Sequence, residues 1–151
     1  MNEDLRVSWE QYHQLLATLA QTITRSGQQF DQILCIARGG LRVGDILSRR
    51  LHLPLAILSV SSYGDSRYAQ GLRIAEHMTY SHDLGDRLLV ADDMVDSGNT
   101  LKAVLQWLDR HYRFTVVKTA VIWYKAHSQI VPDFYVQYLD RNPWIHQPFE
   151  V

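Results

Sequence analysis

The chain has 151 residues, 46% of them hydrophobic and 21% charged, which is typical of one globular domain. The 15 Lys and Arg residues nearly balance the 16 Asp and Glu residues, and this net charge of −1 argues against nucleic acid or an anionic membrane as partner. The single cysteine, Cys35, excludes a disulfide framework. A polar N-terminus and the absence of a long apolar run predict a cytoplasmic protein without signal peptide or membrane span.

The first part of the chain alternates helical and strand patterns. A capping box opens at Ser8, and apolar residues recur at helical spacing up to Gly27, which predicts a first helix. Residues 32–37 (QILCIA) form a short apolar run that predicts a buried strand, and residues 41–51 predict a second helix. A further strand is expected over residues 55–60.

A long polar stretch follows at residues 61–74, with two glycines and several Arg and Tyr residues. Loops of this length are uncommon unless they serve a function or are disordered. We predict a loop that can cover a ligand, followed by a return strand at residues 75–80.

The remaining elements continue the alternation. Strands are predicted over residues 87–91, 115–123 and 134–139, a helix over 99–111, and an irregular tail over 140–151. This order predicts an α/β fold, a twisted and mostly parallel sheet of about five strands flanked by helices. In such sheets ligands bind at the carboxyl ends of the strands.

The strongest motif lies at residues 88–100, LLVADDMVDSGNT. A hydrophobic strand ends in the carboxylates Asp92 and Asp93, and a small-residue loop then opens a helix. Free N–H groups at a helix N-terminus suit a phosphate, and Gly98 allows close backbone approach. The carboxylates suit ribose hydroxyls, Mg²⁺ or general-base work. Solvated loop carboxylates are the alternative, and the absence of a GxxxxGK[ST] motif excludes a P-loop NTPase.

This motif resembles the phosphoribosyl-pyrophosphate binding motif of type I phosphoribosyltransferases, with Ser97 where Thr is usual. The resemblance implies that Asp92 and Asp93 hold the ribose hydroxyls with Mg²⁺ as cofactor, and that both are metal ligands. The 5-phosphate would be bound by Asp96, Ser97, Gly98, Asn99 and Thr100.

Two further loops resemble parts of the same family. Arg38, Gly39 and Gly40 follow the first core strand, where the family binds pyrophosphate and often has a cis peptide, here expected at Arg38–Gly39. Ser62 and Tyr63 resemble the mobile loop that closes over the site in purine phosphoribosyltransferases. A simple turn and an ordinary flexible loop are the respective alternatives.

The C-terminal segment resembles the xanthine-guanine phosphoribosyltransferases, in the lysine after a strand and the sequence PWIHQPFE at residues 143–150. The resemblance implies that Lys125 donates to the purine 6-oxo group, that Trp144 stacks on the base, and that the Ile145 backbone meets the position-2 substituent. Asp96 would be catalytic and share the N7 proton. Phe149 and Glu150 stand where the family usually has Trp-Asp.

The resemblance implies a purine salvage enzyme that moves the 5-phosphoribosyl group from phosphoribosyl pyrophosphate to N9 of guanine, xanthine or hypoxanthine. The alternatives are a regulatory module that binds phosphoribosyl pyrophosphate, or a transferase with a non-purine acceptor. We expect one domain over residues 1–151, with hood segments near 1–30 and 125–151, and a homodimer or homotetramer. The seven histidines show no metal-ligand spacing, and His127 is interpreted as a surface or packed residue.

Overall fold

The computed structural model describes residues 3–62 and 71–150. The helices are α1 (Trp9–Arg25), α2 (Leu41–Leu51) and α3 (Asn99–His111). The strands are β1 (Leu5–Arg6), β2 (Gln32–Ala37), β3 (Leu55–Ser62), β4 (Leu72–Ile74), β5 (Arg87–Ala91), β6 (Met94–Val95), β7 (Val116–Ala120), β8 (Trp123–Lys125), β9 (Gln137–Leu139) and β10 (Ile145–His146). Within these ranges no helix is long and apolar enough to cross a membrane.

The main sheet has the strand order β4-β3-β2-β5-β7. Strands β3, β2, β5 and β7 are parallel, and β4 is antiparallel to β3 at one edge. Two smaller sheets accompany it: β6-β8-β9, which is parallel, and β1-β10, which joins the two ends of the chain. The predicted mixed α/β architecture with a mostly parallel sheet is therefore observed.

The core lies on both faces of the main sheet. Successive residues of a strand point to opposite faces, so Leu89 packs toward α1 and α2 whereas Leu88 packs toward α3. The near-continuous apolar strands recognised in the sequence are buried for this reason. Helix α1 begins as expected, because Ser8 Oγ accepts from the Gln11 N–H (3.1 Å) and Gln11 Oε1 accepts from the Ser8 N–H (2.9 Å).

The C-terminal half differs from the predicted strands. The apolar run at 115–123 is split into β7 and β8, because the N–H groups of Ile122 and Trp123 both donate to the carbonyl oxygen of Asp93 and turn the chain into the small sheet. Of residues 134–139 only β9 is a strand, and it pairs with β8 instead of joining the main sheet. The prediction of one long strand followed by a fifth main-sheet strand was wrong.

The predicted return strand at residues 75–80 was also wrong. The strand that pairs back on β3 is the short β4, and in the stretch after it Thr79 forms an isolated bridge with Ile57. Residues 63–70, which include Tyr63 of the expected mobile loop, lie outside the described residues.

Gly44 sets the distance between α2 and β2. A Cβ atom at Gly44 would lie 2.4 Å from Cys35 Cβ and 3.2 Å from Leu55 Cδ1. Because Cys35 Cβ is fixed to the strand, the helix must shift to make room. We expect Gly44→Ala to lower the free energy of unfolding by about 1–3 kcal/mol in a urea titration, despite its better helix propensity. Arg50→Ala, exposed on the same helix, is the control, and an unchanged midpoint for Gly44→Ala would contradict the prediction.

Candidate active site

The ends of β2 and β5 bring two sequence-predicted loops together. These strands are neighbours and parallel, with Cys35 opposite Ala91. A Cβ at Gly39 would lie 2.7 Å from Asp93 Oδ2, and a Cβ at Gly40 would lie 2.7 Å from the carbonyl oxygen of Ala91. The glycines therefore allow the Arg38–Gly40 loop to rest directly on the acidic pair.

The same loop contains a cis peptide bond between Ala37 and Arg38, one bond earlier than the predicted Arg38–Gly39 position. That prediction was wrong, because the residue types mark the turn without showing which of its peptide bonds is cis. Arg38 lines a cleft of about 720 Å³ together with residues 59–62 and 73–75. Ser62 of the expected mobile loop therefore lies on the same cleft as Arg38.

Asp92 and Asp93 occupy the carboxyl end of β5 in different environments. Asp92 is buried, and its Oδ1 accepts from the Asp93 N–H at 2.9 Å. Burial raises the pKa of the Asp92 carboxyl well above its usual value, and the negative charge of Asp93 raises it further. Asp93 Oδ1 accepts from the Met94 N–H (2.7 Å), and its Oδ2 accepts from the Gln147 side-chain amide (2.8 Å).

Gln147 of the C-terminal tail and Tyr12 of α1 lie near this acidic pair. Both are buried, and Gln147 Oε1 and the Tyr12 hydroxyl have no hydrogen-bond partner in the described part of the chain. Burial, with the charge of Asp93, raises the pKa of Tyr12 to about 12. Phe149 packs edge-on against Tyr12 (5.6 Å between centroids), and the Arg42 guanidinium lies 3.8 Å from its ring. The phenylalanine at the position of the usual family tryptophan thus packs against α1 and α2.

The expected phosphate loop runs from Asp96 to the first turn of α3. Gly98 has φ +87°, a left-handed conformation that favours glycine, and a Cβ there would lie 2.7 Å from Ile130 Cγ2. Ser97 Oγ accepts from the Asn99 N–H at 3.2 Å. Thr100 lies in the opening turn of the helix, whose first N–H groups have no intrahelical acceptor and can bind an anion.

A second loop, residues 126–130 after β8, is hydrogen-bonded to the expected phosphate loop. The N–H of Gln129 donates to the Ser97 carbonyl oxygen (2.9 Å), and the Gln129 and Asn99 side chains are hydrogen-bonded to each other. The loop is thereby fixed to the segment that carries the base-binding candidates.

Asp96 and Lys125 meet because β6 pairs with β8, which places Val95 opposite Tyr124. The buried Lys125 Nζ lies 3.5 Å from Asp96 Oδ2 and 2.8 Å from Asn142 Oδ1. His127 Nε2 lies 2.5 Å from the other carboxylate oxygen of Asp96, Oδ1. Sequence reasoning assigned no role to His127 or Asn142.

Trp144 and Ile145 follow Asn142 in the chain and lead into β10. The Trp144 residue is 67% exposed, as a base-stacking surface requires. Ile145 is buried in β10, where the carbonyl oxygens of Trp144 and His146 accept from the N–H groups of Leu5 and Val7. The backbone edge of Ile145 therefore faces away from β1.

The carboxylates are suited to a magnesium ion shared with a substrate. Among residues 3–62 and 71–150, no three His, Cys, Asp or Glu side chains group as metal ligands. Mg²⁺ in proteins is commonly held by one or two carboxylates together with water and substrate phosphates, rather than by an all-protein cage. The neighbouring carboxylates of Asp92 and Asp93 fit that donor set.

Comparison with known proteins defines the class. Residues 8–151 match the family described as phosphoribosyl transferase domain. The chain belongs to this family and is a phosphoribosyltransferase. Its relatives include the xanthine-guanine phosphoribosyltransferase of Idiomarina loihiensis, 30% identical in an alignment that covers 99% of this chain and 89% of that relative.

Solved structures agree with this relationship. The purine phosphoribosyltransferase of Pyrococcus horikoshii is similar with a TM-score of 0.81 and 28% identity, covering 99% of this chain and 95% of the other. The xanthine-guanine-hypoxanthine phosphoribosyltransferase of Helicobacter pylori gives 0.78 and 26%, covering 95% and 92%. The predictions of a type I phosphoribosyltransferase fold and of a purine phosphoribosyltransferase are confirmed at this level.

Proposed function

We propose that the protein moves the 5-phosphoribosyl group from phosphoribosyl pyrophosphate to N9 of a 6-oxopurine and releases pyrophosphate. This proposal rests on the proximity of Asp96 and Lys125, whose Oδ2 and Nζ atoms lie 3.5 Å apart. On a purine the N7 proton and the 6-oxo oxygen are adjacent along one edge. A carboxylate acceptor beside an ammonium donor is complementary to that edge.

The base is discriminated at position 6. Lys125 carries only donors, so it favours an exocyclic oxygen and disfavours the amino group of adenine. The exposed indole of Trp144 supplies a flat face for the ring, and the backbone of Ile145 supplies polar groups for the position-2 substituent. Guanine, xanthine and hypoxanthine share the 6-oxo group and are the proposed acceptors.

Phosphoribosyl pyrophosphate is proposed to lie across the other strand ends. The 5-phosphate binds the opening of α3 with Asp96, Ser97, Gly98, Asn99 and Thr100 around it. Pyrophosphate lies against Arg38, Gly39 and Gly40, where the Arg38 guanidinium and the Gly39 N–H can bind an anion. Asp92 and Asp93 accept hydrogen bonds from the ribose hydroxyls. From the resemblance to the family, Ser62 and Tyr63 are proposed to belong to a loop that closes over the site.

Asp92 and Asp93 are also the proposed Mg²⁺ ligands. When bound, Mg²⁺ would offset the negative charge of phosphoribosyl pyrophosphate and of the departing pyrophosphate. The chain itself contributes the alignment of N9 with C1′, so that the N9–C1′ bond forms as the bond from C1′ to the pyrophosphate oxygen breaks. Asp96 accepts the N7 proton as positive charge develops on the base.

The test is nucleotide formation from phosphoribosyl pyrophosphate, Mg²⁺ and each of guanine, xanthine, hypoxanthine, adenine and uracil. We expect product with one or more 6-oxopurines, loss of product with excess EDTA, and recovery on adding Mg²⁺. An Asp96→Asn preparation run in parallel exposes any contaminating host enzyme. Binding of phosphoribosyl pyrophosphate without reaction of any base would favour a regulatory module, and reaction with uracil alone would favour a non-purine acceptor.

Two further expectations from the sequence belong to the proposal. They are a cytoplasmic location and a homodimeric or homotetrameric assembly. Size-exclusion chromatography with light scattering tests the assembly directly, and a monomer at micromolar concentration would contradict it.

A further inference from the structure

We propose that His127 is a positioning residue for the reaction, which orients the carboxylate of Asp96 toward the purine N7 proton. The inference rests on the proposed function, because it takes Asp96 as the proton acceptor. It assigns a role to a histidine that is not recognisable by any metal or catalytic motif in the sequence.

The two oxygens of Asp96 have different partners. His127 Nε2 lies 2.5 Å from Oδ1, whereas Lys125 Nζ lies 3.5 Å from Oδ2. The ammonium of Lys125 has a closer acceptor in Asn142 Oδ1, at 2.8 Å. The contact from His127 is thus the shorter of the two side-chain contacts to this carboxylate. The shorter hydrogen bond of Lys125 is the one to Asn142.

Two backbone hydrogen bonds anchor the turn that contains His127. The Ser128 N–H donates to the Lys125 carbonyl oxygen at 3.1 Å. The Gln129 N–H donates to the Ser97 carbonyl oxygen at 2.9 Å. The imidazole therefore belongs to a turn whose backbone is fixed by hydrogen bonds between β8 and the expected phosphate loop.

Asp96 needs such a partner because its surroundings do not fix its orientation. Its side chain is 54% exposed, and the terminal torsion of an aspartate is broad and roughly two-fold. A hydrogen bond from the imidazole to Oδ1 fixes the plane of the carboxylate and leaves Oδ2 directed to the side where Lys125 lies. That is the oxygen placed to accept the N7 proton of a base whose 6-oxo group is bound by Lys125.

The proton balance does not require His127 to change its own charge. The N7–H bond breaks, an O–H bond forms on Asp96, and the proton leaves to water when the product departs. His127 acts through Asp96, as an oriented donor, and its 43% exposed ring does not need to touch substrate.

The experiment compares His127→Ala and His127→Gln with the wild type, varying phosphoribosyl pyrophosphate at a saturating concentration of the preferred purine. Loss of a hydrogen bond to a charged group should lower the kcat of His127→Ala about 10- to 100-fold, with KM for phosphoribosyl pyrophosphate within about twofold. His127→Gln, which keeps an N–H donor, should recover most of the loss. His82→Ala, an exposed histidine paired with Ser81, is the matched control.

A double-substitution cycle separates positioning from a general structural effect. In an Asp96→Asn background, His127→Ala should change kcat by no more than about twofold, because the partner it orients is already disabled. An unchanged kcat in His127→Ala, additive losses in the cycle, or a raised KM for phosphoribosyl pyrophosphate with unchanged kcat would each overturn the inference. A wild-type protein that converts no purine would instead refute the proposed function.

Discussion

Asp96→Asn should lower kcat for nucleotide formation by about 10²–10⁴-fold, the range typical of a lost general base. The substitution keeps the size and one carbonyl oxygen, so the hydrogen bond from His127 can persist. It removes the negative charge that receives the N7 proton and that faces Lys125 at 3.5 Å. KM for phosphoribosyl pyrophosphate should change little, because the N–H groups at the start of α3 remain in place. Steady-state kinetics with each 6-oxopurine measures both constants.

Asp109→Asn is the matched control, since Asp109 is exposed on the far turn of α3. It should keep wild-type kcat and KM. An Asp96→Asn protein with kcat within about threefold of wild type would remove Asp96 from the proton transfer, because a group that takes a proton in the transition state contributes far more than this. A large rise in KM for phosphoribosyl pyrophosphate alone would limit Asp96 to phosphate binding, without a part in the proton transfer.

Local patterns predicted the parts of the site that are contiguous in the chain. Strand β5, the acidic pair, the loop around Gly98 and the start of α3 follow one another within residues 87–100. Each is determined by neighbours in sequence, such as the apolar run of a buried strand or the glycine of a left-handed turn. The strand-end rule for parallel sheets then predicted that the Arg38–Gly40 loop and the acidic pair lie at the same edge of the sheet.

Contacts between segments that are distant in the chain could not be predicted from local patterns. Asp96 and His127 are brought together by the pairing of β6 with β8, two short strands in a sheet that the sequence pattern did not separate from the main one. The bond between Gln147 and Asp93 likewise depends on how the tail folds back, which no periodicity records. Histidine and glutamine carry no spacing signal there, so their roles became visible only with the geometry.

The split of residues 115–123 has a related cause. β-propensity is high throughout this segment, but the carbonyl oxygen of Asp93 competes for the N–H groups of Ile122 and Trp123. Tertiary hydrogen bonding thus overrides an apolar run that would otherwise continue as one strand. The same departure from the main sheet carries Lys125 to Asp96, so the missed break is also the feature that brings the proposed base-binding residues together.

Lys125→Met should lower kcat/KM for 6-oxopurines by about 10- to 100-fold, the effect of losing a hydrogen bond from a charged donor. Methionine is an unbranched side chain with a flexible apolar stem, so the buried space is largely kept. The loss should be specific to the 6-oxo group, whereas adenine, whose amino group gains nothing from an ammonium donor, should change little. The ratio of hypoxanthine to adenine kcat/KM measures the effect.

Lys118→Met is the control, because Lys118 on β7 is partly exposed, pairs with Asp133 at 3.9 Å, and contributes nothing to the site. Equal losses for hypoxanthine and adenine in Lys125→Met would mean that the lysine supports the shape of the pocket without reading position 6. Unchanged hypoxanthine kinetics would mean that another donor binds the oxygen. A ratio that falls while adenine kinetics are preserved requires direct recognition, because a deformed pocket would penalise both bases alike.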